Sequence, residues 1–226
     1  MKLSAVIMAH TVRQREAEEL QASLDRHVPI QYDPNPIPSA DKLQRWKNGR
    51  MCWEAADPSA DWHMVIQDDA LAVPDLMAGL ERALDVVGPD GVVSAYTGKG
   101  RPDQRAVRAA VTNARSRGHS WISTKSLYWG VAIIVPVYTI PDMLAWCEDR
   151  GRNSNNNYDA LVGIYYRDVM KWRTWYTLPS LVDHRDEDSL IGHKGAVRKA
   201  HYMAPGSALD VDWTRTPPGG LKIKIG

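Results

Sequence analysis

The chain opens with an unbroken apolar run, Leu3–Ala9 (LSAVIMA), that ends at His10, as a strand buried on both faces of a parallel sheet would. Thr11 is a helix cap by type, and Ala17, Leu20 and Leu24 then recur at helical spacing, with Glu16, Glu18 and Glu19 in the early turns. Residues 28–32 predict a second strand, closed by the proline-rich loop 33–41 (DPNPIPSAD). Residues 42–56 have a helical pattern stopped by Asp57-Pro58-Ser59, and the next strand, Trp62–Gln67, runs directly into Asp68-Asp69. Pro74 at a first helical position, Leu76, Leu80, Leu84 and Val87 on one face, and Gly88 at the stop describe the following helix.

The alternation continues to the end of the patterned region. A strand over 91–95 is followed by an Ala/Arg-rich helix over 103–117 closed by Gly118, an apolar strand over 130–137, and a helix begun by Pro141. Residues 152–157 are a polar loop. A helix over 158–172 would face Leu161, Ile164, Tyr165 and Val169 inward, and residues 174–182 form a last strand. The expected fold is α/β: a single Rossmann-like domain with a mixed, mostly parallel central sheet flanked by helices. Residues 1–184 would form the ligand-binding and catalytic domain, and the Gly-, Pro- and charge-rich residues 185–226 a tail or lid packed on it.

Length and composition agree with this outline, since 226 residues of which 44% are apolar can supply one sizeable core. Neither a signal peptide nor a stretch long enough to span a membrane is present, so a cytoplasmic protein is expected. Cys52 and Cys147 sit in apolar helical patterns and predict buried free thiols rather than a disulfide or a zinc site. The net charge of +1 hides an uneven distribution. Lys99, Arg101, Arg105, Arg108, Arg115, Arg117 and Lys125 are opposed over 99–125 by Asp103 alone, whereas Asp183, Asp186, Glu187 and Asp188 surround a single arginine. Nine tryptophans and no phenylalanine supply flat faces suited to sugars or bases, and equally to a core.

Asp68 and Asp69 are the residues with the plainest chemistry. Adjacent carboxylates at the exit of a buried strand repel each other unless a cation lies between them, and oxygen ligands suit Mg²⁺ or Mn²⁺. Such an ion can neutralise a departing diphosphate. A solvated pair capping the helix near Pro74 is the alternative. Trp46 and Arg50, one helical turn apart, could meet a nucleotide by stacking and charge, or be core and surface respectively. Tyr128 and Trp129 precede Gly130, where a glycine permits close approach and aromatics can stack on a sugar, with strand packing as the competing account.

The stretch WHMVIQDDALAVPDL (residues 62–76) resembles the acidic motif, in its -DDA form, of GT-A glycosyltransferases of the lipopolysaccharide and bacteriophage-encoded types. VIMAH with Arg13 and Arg15 looks like their first strand and nucleotide loop, and YWGVAIIVP is similar to the glycine-containing strand lining the sugar site. Asp159 in NNYDALVG falls where the family places its catalytic carboxylate, and LPSLVDHR ends like its C-terminal metal-ligand segment, with His184 as the ligand and His193 as its rival. The resemblance spans most of residues 3–193. It implies a metal set of Asp69, Asp68 and His184 around Mn²⁺ or Mg²⁺. It also implies a donor set of Ala9, His10, Arg13, Asp68 and Gly130, to which Trp46, Arg50, Tyr128, Trp129 and Lys194 are added on chemical grounds. Gln67 stands where an acid is usual, which shifts metal duty to Asp69 and leaves Asp68 to share metal or ribose, and Thr11 stands where a proline is frequent. On chemical grounds alone Asp159 could equally be a helix-dipole carboxylate, and His184 a surface residue. Lys194 and Arg198 are placed to clamp a diphosphate if the tail closes.

The function implied is transfer of a sugar from a nucleotide-diphosphate sugar, a UDP-sugar for preference, to an acceptor hydroxyl. The basic segment 99–125 suggests DNA as acceptor, at a hydroxymethylated base of phage DNA, with protein or glycan as alternatives. A non-catalytic nucleic-acid-binding protein and a nucleotidyltransferase are the rival classes. The second normally carries a glycine-rich, lysine-containing N-terminal loop that residues 10–15 lack.

Overall fold

The structure, a computed structural model, describes residues 1–35, 42–99, 104–151, 157–185 and 198–215. Its centre is a seven-stranded sheet. In chain order the strands are β1 (Leu3–Ala9), β2 (Ile30–Tyr32), β3 (Trp62–Gln67), β5 (Val92–Ser94), β6 (Trp121–Thr124), β7 (Ala132–Pro136) and β8 (Thr174–Thr177), and in space they run β2-β1-β3-β7-β5-β8-β6. β1 is parallel to β2 and β3, and β5 is parallel to β8, while β7 and β6 run against their neighbours. The sheet is therefore mixed, with β6 and β7 reversed and the other strands codirectional, as the pattern of apolar runs leads one to expect. A separate pair, β4 (Ala70–Ala72) with β9 (Val182–His184), stands at its edge.

Helices α1 (Gln14–Ser23), α2 (Lys42–Glu54), α3 (Leu76–Val87), α4 (Gln104–Ser116), α5 (Ile140–Gly151) and α6 (Tyr158–Ile164) flank the sheet. Two large apolar clusters form, one containing Leu20, Ile66, Leu76, Leu80 and Leu84, the other Trp46, Trp53, Val65, Leu161 and Tyr166. β3 contributes to both because Met64 and Ile66 point to one face and Val65 to the other. This burial on both faces is why its sequence is continuously apolar. Cys52 and Cys147 are buried free thiols.

The local details depart from expectation in several places, each for a physical reason. Thr11 begins a short 3₁₀ turn (Thr11–Arg13) rather than capping α1; His10 caps that turn, its Nδ1 accepting from Val12 N, and α1 starts from Arg13 with no side-chain cap. Pro74 lies outside α3, before a left-handed Asp75, and its carbonyl accepts from Ala208 N. The helix over 158–172 widens into a π turn at Tyr165–Val169 and ends at Lys171 with positive φ, so Val169 falls on the solvent side and is exposed. Residues 174–182 are two strands, not one. The chain breaks at Leu178-Pro179, a cis bond, and leaves the large sheet to pair with β4. Residues 198–215 lie against the same sheet through bridges Gly98–Ala200 and Ser180–Met203, through Ala208 on α3, and through Trp213 beside Trp121.

Candidate active site at the exits of β1 and β3

Parallel pairing sets β1 and β3 in register to Met8 opposite Gln67, so both strands end together. Asp68 N donates to Met8 O, and His10 N donates back to Asp68 Oδ2 at 3.0 Å. The chain then continues through Asp69 into β4, and β4 pairs with β9 so that Ala70 faces His184. This register carries the His184 ring to Asp69, with Nε2 3.3 Å from Oδ2. The ring is held from behind, its Nδ1 hydrogen-bonded to the Arg185 carbonyl, while Arg185 N donates to Asp69 O. A histidine so anchored through Nδ1 turns Nε2 toward Asp69.

Both acids are buried, and so is the cation between them. The Arg13 guanidinium, on the 3₁₀ turn after β1, reaches Asp69 Oδ2 at 2.5 Å and Asp68 Oδ1 at 3.5 Å. Burial alone would lower the Arg13 pKa, but the two carboxylates outweigh it and raise it. Asp68 is pushed up to about 7 by burial and then by the charge of Asp69, against the His10 N–H and Arg13. The cation demanded by the repulsion of adjacent carboxylates is thus supplied, in part, by the protein's own arginine.

Buried polar atoms nearly always find partners, so those that do not mark where a ligand belongs. Asp69 Oδ1 and His10 Nε2 are buried without a hydrogen-bond partner among the described residues, and so is Asn48 Oδ1 on α2. Because His10 Nδ1 accepts from Val12 N, its Nε2 carries the proton and is an unused donor. Asn48 Nδ2 reaches the Ala9 carbonyl at 3.4 Å, which sets this amide beside the exit of β1. One unused donor and two unused acceptors therefore cluster where the two strands end. Among the described residues no three His, Cys, Asp or Glu side chains group closely enough to enclose a metal ion by themselves.

Gly130, two residues before β7, packs against the first turn of α6. Tyr158 Oη donates to the Gly130 carbonyl at 2.7 Å and receives Gln67 Nε2 at 3.2 Å, tying the residue before the acids to the residue before Asp159. A Cβ at Gly130 would stand 2.9 Å from Tyr158 Oη and 3.2 Å from Asp159 Oδ2. The glycine is what lets the carboxylate lie against the strand. Asp159 itself is half-buried, near the start of α6, its Oδ1 accepting from Ala160 N. Burial, and then the Asp159 charge, hold the Tyr158 phenol far above its ordinary range, so it acts as a neutral clamp.

Of the remaining residues singled out from the sequence, Tyr128 and Trp129 are half-buried in an aromatic wall with Tyr176 and Tyr96, next to Gly130. Arg198 Nη1 lies 3.4 Å from His184 Nε2, at the site. Trp46 is in the core with its indole N–H on Glu148, and Arg50 is held by Glu54 and Glu148, so the structure does not bring these two to the acids. Lys194, His193 and Arg101 lie outside the described residues. The α2 residue that does reach the strand exit, Asn48, was legible as a polar residue among buried positions of its helix, but the aromatic–arginine pair drew the reading away from it. A cavity of about 360 Å³ lies at the opposite end of β3, by Met1, Trp62 and Tyr138.

No protein-family model matches this sequence, and no curated protein matches it. Among solved structures, one similar chain is a glycosyltransferase involved in glycosylation of the major capsid of PBCV-1, with TM-score 0.47 and 11% identity over 83% of this chain and 95% of that one. Another is the glycosyltransferase GlyE of Streptococcus pneumoniae TIGR4 in its apo form, with TM-score 0.44 and 12% identity over 74% of this chain and 43% of that one. A second GlyE structure gives TM-score 0.42 at 12% identity.

Proposed function

We propose that this chain is a glycosyltransferase that moves a sugar from a nucleotide-diphosphate sugar to an acceptor hydroxyl, in a GT-A-like site at the exits of β1 and β3. The observation that carries this reading is the set of buried, partnerless atoms there, Asp69 Oδ1, His10 Nε2–H and Asn48 Oδ1, with Asp159 tied to the same strand end through Tyr158, which Gln67 and Gly130 hold. The resemblance of the -DDA segment points to the same residues.

A divalent ion fits this donor set. Mg²⁺ and Mn²⁺ use one or two protein ligands, keep several waters and take the rest from substrate phosphates, which matches Asp69 Oδ1 and His184 Nε2 as its holders. Bound there, such an ion supplies charge neutralisation to a departing diphosphate. The chain's own residues do the rest. His10 Nε2–H and Arg13 are donors for ribose or phosphate oxygens at the end of β1, and Asp68 fixes the backbone of His10 that aims them. Tyr128 and Trp129 form a flat wall for the sugar beside Gly130. Asp159, half-buried and close to that glycine, takes the proton of the attacking hydroxyl. Arg198 stands over His184 from the returning segment and helps exclude water.

For the acceptor we favour DNA. Lys99, Arg105, Arg108, Arg115 and Arg117 are exposed, and Lys99 N donates to Lys199 O in the segment that starts at Arg198. His201, on the same segment, has its pKa lowered by burial and then by the charges of Lys99 and Arg108. A continuous basic track suits a phosphate backbone.

The direct test is release of nucleoside diphosphate from a panel of nucleotide sugars with Mn²⁺, with and without duplex DNA carrying hydroxymethylated bases. At least one donor should be turned over, and Asp69→Asn should lower turnover by at least about 100-fold while the protein stays folded. Failure of every donor, or full activity in Asp69→Asn, would refute the proposal.

A further inference from the structure

The cation already between Asp68 and Asp69 has consequences for how the site fills. Arg13 is 7% exposed, its guanidinium on Asp69 Oδ2 and within reach of Asp68 Oδ1. It is therefore a buried counter-ion, and removing it would leave two adjacent buried carboxylates whose partners among the described residues include the His10 amide and His184. Asp69 can offer an incoming metal its Oδ1 without disturbance, but Oδ2 is taken and the positive guanidinium sits against the same carboxylate. Two cations competing for one carboxylate in a poorly solvated site repel each other, so the metal alone must bind against Arg13.

Arrival of a diphosphate changes that balance. The anion offers Arg13 bidentate oxygens of the kind a guanidinium prefers, and releases Asp69 Oδ2. Arg13 lies on a short turn directly after β1, beside His10, whose unused Nε2–H faces the same need for an anionic or hydroxyl oxygen.

We infer that Arg13 is a two-position counter-ion, which occupies the acidic pair in the empty protein and transfers to the donor's diphosphate as the divalent ion takes Asp69. This rests on the metal site proposed above. Its consequence is strong coupling: the ion binds weakly alone and tightly with nucleotide, and the coupling runs through Arg13. By linkage, the ion tightens nucleotide binding by the same factor.

The test is Mn²⁺ binding by electron paramagnetic resonance, on the full chain, with Mn²⁺ alone and with Mn²⁺ plus UDP, in wild type, Arg13→Gln and Arg13→Lys. Arg13→Gln should bind Mn²⁺ alone about 10-fold more tightly than wild type, because the competing charge is gone. UDP should then tighten it further by a smaller factor than in wild type. Arg13→Lys keeps a cation for the buried acids but loses the fork that spans them, and should fall between the two; it also serves if Arg13→Gln does not fold. Affinity for Mn²⁺ alone that is unchanged or weaker in both variants would overturn the inference while leaving the metal site standing. Absence of Mn²⁺ binding to wild type even with UDP would remove the metal site itself, and the inference with it.

Discussion

Gly130 gives its side-chain space to Asp159. A methyl group there would press on both Tyr158 Oη and Asp159 Oδ2, so Gly130→Ala should push the carboxylate off the strand without exposing apolar surface. The expected outcome is a loss of turnover of about 100-fold, the scale of a misplacement near 1 Å, with little change in melting temperature. Steady-state kinetics alongside a thermal melt will separate the two. His63 offers a different residue-level check. Its Nε2 donates to the Cys52 carbonyl, a pure acceptor, so Nδ1 accepts from Ser4 Oγ and the ring is a satisfied neutral group. Burial pushes its pKa down to about 4 from 6.5, even though the Cys52 carbonyl favours the charged form. The unfolded chain therefore binds the proton first. Stability contributed by the neutral ring is complete above pH 6.5 and is lost as pH falls toward 4, by about 3 kcal/mol for this group. Urea melts from pH 7 to 4 should show that loss in wild type and a shallower one in His63→Gln; identical slopes would contradict it. In the sequence, Asp68 and Asp69 stand out as charge at the end of an apolar run, whereas Arg13, Asp159 and His184 enter only through the family resemblance. Sequence reading missed Asn48 and Tyr158, whose roles come from what they touch across the fold.

The elements that hold the site were legible in proportion to their length and regularity. β1, β3 and the apolar face of α3 follow from uninterrupted or periodic apolar residues, and the structure has them where those patterns lie. β4, β6 and β9 did not stand out, since three or four residues carry no periodicity and their pairing partners are remote in sequence. Yet the β4–β9 pair is what brings His184 to Asp69, so that contact depends on the least visible strands. The docking of residues 207–210 on α3 is likewise a long-range fit. Ser207 Oγ donates to Asp75 Oδ2, and a Cβ at Gly79 would come within 2.3 Å of the Ala208 Cβ and 2.8 Å of its carbonyl carbon. Gly79→Ala must push this turn away despite its better helix propensity. A destabilisation of about 1–3 kcal/mol in chemical denaturation is expected, and any stabilisation would show that the turn does not rest on α3.

At the scale of the whole molecule, the candidate site lies where β1 and β3 end, while α4 packs on β6 at the far end of the strand order and exposes a basic face with Arg105, Arg108 and Arg115. If that face follows a nucleic-acid backbone, Arg108→Glu with Arg115→Glu should weaken duplex binding and flatten its salt dependence, while hydrolysis of the donor alone persists. Unaltered binding would turn attention to a protein or glycan acceptor. No helix among the described residues is long and apolar enough to cross a membrane. The central claim is that the exits of β1 and β3 hold a nucleotide diphosphate and a divalent ion together. Crystals soaked with UDP and Mn²⁺ test it most directly. Anomalous density for manganese on Asp69 and His184, with the diphosphate against His10 and Arg13, is the predicted result; nucleotide bound elsewhere, or an ion that avoids Asp69, would contradict it.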